Sequence, residues 1–227
     1  MNPTFKSEIL RVGSFILFLL LIAAGVFAQT DANNPFPQLV FLNFQNSTIL
    51  MKSGTKTDAF LNYNSVDEEM LIDQGGEYRS LNKPEEIDTI FIQNRKFVLL
   101  NKVFCEQITK GNVSIFFQYK SRYMSAGTPL AYGMTSQTNA SMPVSVVKGG
   151  NQVRHLEVPD NVKVTNINIL QVRIGNELHR FSNIKQFSKL FGEHEAQIKE
   201  FAKTNNLDVN LPKDLKKLGA FAETFAK

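Results

Sequence analysis

Tryptophan is absent from the 227 residues, cysteine occurs once and histidine three times. The lone Cys105 excludes an internal disulfide and any thiolate cluster that could hold a metal. His155, His179 and His194 lie far apart. His194-Glu195 begins like a metalloprotease helix, but that motif needs a second histidine one turn later, where Ile198 stands. No G-x-S-x-G occurs, so the strained elbow of a serine hydrolase is not encoded. The positive surplus is only +4, too little to neutralise a phosphate backbone unless it is concentrated in one place. Nothing in this inventory asks for a cofactor. With tryptophan missing and phenylalanine used 19 times, the aromatic surface is apolar and suited to packing.

What is present begins with a leader. Lys6 and Arg11 precede the apolar run Phe15 to Phe27, and Val26-Phe27-Ala28 offers small residues before the polar QTDANN. The run is short for a bilayer span of about 20 residues. It reads as a cleaved secretory signal over 1–28 with Gln29 as the new N-terminus, and the chain is expected in the periplasm or outside the cell. The competing reading is a retained N-terminal anchor, which would be the chain's one membrane contact. Cleavage removes Lys6, Glu8 and Arg11 and leaves a surplus of +3.

Residues 29–38 carry two prolines and read as a linker. An antiparallel β domain is expected over 39–181. Strands are predicted at Leu39 to Phe44, Thr48 to Lys52, Ala59 to Tyr63 and Glu69 to Ile72, with Gly75-Gly76 as a turn. The stretch Ile87 to Tyr123 carries four apolar or alternating runs, punctuated at Asn94-Arg95, Asn101-Lys102 and Lys110-Gly111, and is expected to form the core. In its last run Val113, Ile115, Phe117 and Tyr119 share one face, which alternation assigns to the core. Met124 to Pro143 is rich in small polar residues without a period, and reads as a long loop beside which a ligand site would be sought. Further strands are expected at Val144 to Lys148, Arg154 to Val158, Val164 to Ile174 and Leu178 to Phe181, the last two joined at Gly175-Asn176.

From Ser182 the period becomes helical. Ile184, Phe187, Leu190 and Phe191 form one stripe capped by Ser182 or Asn183 and stopped by Gly192. A second helix is expected over Glu193 to Lys203 and a third from Pro212, with Leu215, Leu218, Phe221, Ala222 and Phe225 inward. The fold class is therefore α+β: an antiparallel sheet or partial barrel, followed over 182–227 by a three-helix segment packed on it.

Two constellations bear on chemistry. Asp67-Glu68-Glu69 and Glu85-Glu86 are paired carboxylates, which glycoside hydrolysis requires across a cleft; neighbours in a turn are expected to be solvated. Arg95, Lys96, Lys102, Lys110, Lys120 and Arg122 are interleaved with Phe97, Phe104, Phe116 and Tyr123, and only Glu106 opposes them. An RNA-binding strand would place an aromatic directly after Lys110-Gly111, where Asn112 and Val113 stand, so nucleic acid is not the expected partner. Lys110, Lys120, Arg122 and Tyr123 are the candidate surface for an anionic ligand.

Several short stretches carry a resemblance: Phe60-Leu61-Asn62-Tyr63-Asn64, then Ile87-Asp88-Thr89-Ile90-Phe91-Ile92 leading to Phe97, then Ala131-Tyr132-Gly133, and in the tail Lys189-Leu190-Phe191 and Ile198-Lys199-Glu200-Phe201. In this order, behind a secretory signal, the chain resembles uncharacterised secreted proteins of Bacteroidetes-type Gram-negative bacteria. The resemblance implies a periplasmic or cell-surface location and no established activity. Two functions remain open: a non-enzymatic envelope module that binds a protein or polysaccharide, and a secreted hydrolase whose carboxylates meet only in the fold.

Overall fold

A computed structural model of the chain describes residues 35–125, 128–129, 135–136, 153–159 and 162–226. Contacts divide the chain into Met1–Pro35 and Phe36–Lys227, and every element below belongs to the second unit. The leader and the strand expected at Val144 to Lys148 lie outside the described residues.

Four strands come first: β1 (Gln45–Met51), β2 (Lys56–Asn64), β3 (Glu69–Asp73) and β4 (Tyr78–Ser80). A 3-10 turn at Pro84–Glu86 leads into β5 (Ile87–Ile92), β6 (Arg95–Leu100), β7 (Val103–Gln107), β8 (Val113–Gln118) and β9 (Ser121–Ser125). The two-residue strands β10 (Thr128–Pro129), β11 (Thr135–Ser136) and β12 (Val153–Arg154) follow, then β13 (Val162–Asn166), β14 (Ile169–Ile174) and β15 (Glu177–Phe181). Three helices close the chain: α1 (Ile184–Lys189), α2 (Glu195–Thr204) and α3 (Pro212–Glu223). One open sheet of 11 strands runs β12-β4-β3-β2-β1-β5-β6-β7-β8-β14-β15, while β10 pairs with β11 and β13 with β9. All described pairings are antiparallel.

Register explains where the core sits. Ile49, Ile90, Phe97, Glu106, Phe117, Leu170 and Phe181 are successive cross-strand partners, so they form one row on one face of the sheet. All seven are buried. The β1 end of the row belongs to a cluster with Phe41, Leu61, Tyr63, Met70 and Phe104, enclosed as the sheet curls. Its β15 end belongs to a second cluster, where Phe187, Ile198, Leu215, Leu218 and Ala222 of the helices cover β8 and β14. The curl is fastened where the β2–β3 turn meets the start of β9: Ser121 N donates to Ser65 O at 2.8 Å, and Ser65 Oγ donates to Ser121 Oγ at 2.9 Å. This is the α+β architecture expected, with helices seated on half of a partly rolled sheet.

Helix docking depends on close approach. An ideal Cβ on Gly219 of α3 would lie 2.7 Å from Thr109 Cγ2 and 3.0 Å from Ile115 Cδ1. Thr109 cannot easily yield, because its hydroxyl donates to Val113 O and accepts from Ile115 N, both at 2.8 Å. The α1 cap is Asn183, whose side chain accepts from Gln186 N, and Gly192 ends that segment with φ +55°.

Some expected elements differ. Leu39 to Phe44 is not a strand apart from a bridge from Leu39 to Asn64. The Asn62 carboxamide accepts from Phe41 N and donates to Phe41 O, standing in for a neighbouring backbone. Gly75-Gly76 turns β3 into β4, a short strand that its Tyr-Arg-Ser composition does not announce. The turn expected at Asn94-Arg95 lies one residue earlier, because Ile92 pairs with Arg95 and Gln93 takes φ +53°. Val164 to Ile174 is broken at Ile167-Asn168: Ile167 N donates to Lys120 O and Asn168 Oδ1 accepts from Lys120 N, handing the chain from β9 to β8. Of Arg154 to Val158, only Arg154 is in a strand. All of β8 is buried on both faces, against the single core face that alternation suggested. Central strands lose their polar face when neighbours cover it.

Candidate functional site

The only ionisable member of the buried row is Glu106, and its surroundings follow from register. Arg95 lies next to Phe97 in sequence distance of two, so it projects from the same face as Phe97 and Glu106. Glu106 Oε1 accepts from Arg95 Nε at 3.1 Å, and Oε2 accepts from Arg95 Nη2 at 2.9 Å and from the Tyr119 hydroxyl at 2.7 Å. The guanidinium carbon is 4.4 Å from the Phe41 ring centre, 5.1 Å from Tyr119 and 5.3 Å from Phe97. Burial, then the Glu106 charge, pushes the Tyr119 hydroxyl far above its ordinary range. A fork-to-carboxylate pair inside an aromatic cage is a structural device whose donors and acceptors satisfy one another. The basic and aromatic residues interleaved in the sequence thus partly turn inward.

A second ion pair fastens the curl. Glu68, in the β2–β3 turn at φ +58°, accepts from Gln118 Nε2 and from Lys120 Nζ, each at 2.5 Å. Its side chain is 9% exposed, so the expectation of a solvated carboxylate is corrected. β7 and β8 pair at Glu106↔Phe117 and Gln107↔Phe116, so Gln118 has no β7 partner, and its side-chain amide donates to Glu68 in the turn. Glu69 accepts from Ser80 Oγ. Glu68, Glu69, Ser80, Lys83, Lys102 and Phe104 line a cleft of about 220 Å³. By contrast Glu85 and Glu86 are exposed, as expected of turn carboxylates.

Burial, followed by the Glu68 charge, raises the Tyr63 hydroxyl far above its usual range and pushes the Cys105 thiol up to about 12. Cys105 is fully buried, with its thiol directed to Val103 O. Native protein at pH 8 is therefore expected to resist iodoacetamide for hours and to be alkylated within minutes in urea, as followed by intact mass. Rapid native labelling would contradict the placement of Cys105.

The sequence-nominated surface does not assemble around one point. Lys110 is in the β7–β8 turn and Lys120 beyond the far end of β8, whose six extended residues alone span roughly 20 Å. Lys120 is neutralised by Glu68. Arg122 is exposed on β9, beside half-buried Tyr123, which pairs with Val164. Burial and then the Asp67 charge raise the Tyr123 hydroxyl. Sequence adjacency suggested a cluster; strand length separates its ends.

Two other recesses gather cations. Between α1 and α2, a groove of about 420 Å³ has Ile184, Ala202 and Leu207 as apolar lining, with Lys185, Lys199, Lys203 and Asn206 around them. Lys199 bonds to Glu195, whereas Lys185 and Lys203 are exposed and make no ion pair among the described residues. The Lys199 hydrogen bond first, then the charges of Lys199, Lys189 and Lys185, hold the Glu195 carboxyl below its ordinary range. The i,i+4 spacing of Lys185/Lys189 and of Lys199/Lys203 was the available sequence signal. The other recess, about 240 Å³, lies around Phe116 and includes Lys96, Gln107 and Arg173.

Among the described residues, no group of three His, Cys, Asp or Glu side chains is placed to hold a metal ion, and no helix is long and apolar enough to cross a membrane. No family model, no curated protein and no solved structure matches the chain.

Proposed function

We propose that the chain is an exported envelope protein that binds an acidic segment of another envelope protein and performs no reaction on it. The α1–α2 groove carries this reading. Its apolar lining suits a buried side chain of a docked segment, and lysines from both helices suit carboxylates on either side of that anchor. Lysine ammonium groups are mobile point charges, a better match to dispersed carboxylates than to one fixed planar group. Export rests on the leader sequence, and the resemblance to secreted Bacteroidetes-type proteins is consistent with it.

The alternative, a secreted hydrolase, draws on Glu68 and Glu69 in one cleft. Both Glu68 oxygens already accept hydrogen bonds from Gln118 and Lys120, and Glu69 accepts one from Ser80. They serve as anchored acceptors, a poor starting point for a carboxyl that must exchange a proton with substrate.

The test uses the processed protein and immobilised poly-glutamate. Wild type is expected to be retained in low salt and released as salt rises. Lys185→Glu/Lys203→Glu, which alters two exposed side chains, is expected to pass through with an unchanged urea midpoint. Unaltered retention of that variant, or none by wild type, overturns the assignment; equal retention on heparin would shift it to a polysaccharide.

A further inference from the structure

The face of the sheet opposite the buried row carries a different site. Phe91 pairs with Lys96, and Gln107 pairs with Phe116, so these side chains share the outer face of β5 to β8. Arg173, from β14, brings its guanidinium carbon to 5.1 Å from the Phe116 ring centre. Lys96, Gln107, Phe116 and Arg173 line the recess of about 240 Å³ with Val98, Leu99 and Leu100, and Asp88 and Thr89 are also on its wall.

The groups are poised differently from those in the interior. Arg95 and Lys120 have carboxylate partners, whereas Arg173 and Lys96 make no ion pair among the described residues. Gln107 makes no side-chain hydrogen bond among them either, although it is only half-exposed. A guanidinium held against an aromatic face is restricted in orientation, and its N–H edge remains able to take a planar carboxylate in two parallel bonds. Lys96 supplies a second positive charge and Gln107 an amide donor. Asp88 accepts from Thr89 Oγ1 at 2.8 Å and disfavours a second negative charge on the ligand.

We propose that this recess binds a small monocarboxylate with an apolar body, the carboxylate held by Lys96 and by Arg173, which the buried Phe116 ring backs, and the body against Val98 and Leu100. The site is separate from the helical groove and does not depend on the function proposed for it. Its volume of about 240 Å³ is enough for a molecule the size of phenylacetate.

Titration calorimetry with phenylacetate, checked by amide chemical shifts, tests the proposal. Wild type is expected to bind phenylacetate in the millimolar range or tighter, and to ignore benzyl alcohol, which keeps the ring and lacks the charge. Arg173→Met keeps bulk over Phe116 and is expected to weaken binding at least about tenfold. Lys96→Met should weaken it less, and Arg173→Lys should give an intermediate loss because charge survives while the fork does not. Urea midpoints establish that each variant is folded. Absence of wild-type binding at 10 mM (about one part in a hundred of the 1 M standard state), equal binding of benzyl alcohol, or full binding by folded Arg173→Met overturns it.

Discussion

Replacing Arg95 by alanine is expected to lower the stability of the protein by about 3 to 5 kcal/mol, read as a drop in urea midpoint. The loss is large because it strands Glu106, whose side chain is 8% exposed, without the partner that supplies two of its three hydrogen bonds. It also removes the cation from the centre of Phe41, Phe97 and Tyr119, leaving the junction of the two apolar clusters underfilled. Glu106→Ala should cost a similar amount. Arg95→Met/Glu106→Leu, which removes both charges and keeps volume, should recover most of the loss, because the interior is then free of an unpaired ion. Additive losses in the double variant would mean that the two groups do not form the pair described.

Gly111→Ala is the second large expected effect, about 3 kcal/mol from two sources. Gly111 has φ +145°, a conformation open almost only to glycine and costing other residues about 1 to 3 kcal/mol. Its added Cβ would also lie 2.6 Å from Glu223 Oε1. That carboxylate accepts from Asn112 N at 2.8 Å and Val113 N at 2.7 Å, tying the end of α3 to the β7–β8 turn. Charge-assisted bonds of this kind contribute about 1.5 to 3 kcal/mol each when sheltered, less here because Asn112 is exposed to water. In a Glu223→Ala background the same glycine substitution should cost only its backbone share. An equal cost in both backgrounds would remove Glu223 from the explanation.

The elements most legible in the sequence were those encoded locally. The type of turn at Asn101-Lys102, where both residues take positive φ, the Gly175 turn into β15, the Asn183 cap and Pro212 at the start of α3 depend on neighbours a few residues away. What alternation could not give was which strand covers which. Glu68 and Lys120 are 52 positions apart, and Gly111 and Glu223 112, so the ion pair that fastens the curl and the carboxylate that ties α3 to the β7–β8 turn left no short-range trace. The candidate surface failed to converge for the same reason: Lys110 and Lys120 flank a single strand, so their neighbourhood in sequence is the length of β8 in space. The Asn62 carboxamide illustrates a third cause, a side chain replacing strand hydrogen bonds that apolar patterning had assigned to Leu39 to Phe44.

Interior charges that hold the protein together and helix-surface charges that contact a partner are separable by one comparison. Urea midpoint and poly-glutamate retention would be measured side by side for Arg95→Ala and for Lys185→Glu/Lys203→Glu. The expected pattern is a midpoint lowered by several kcal/mol equivalents with retention kept for the first, and retention lost at an unchanged midpoint for the second. The crossed result, with retention abolished in a folded Arg95 variant and intact in the lysine variant, would contradict the division of labour between the two sets of charges.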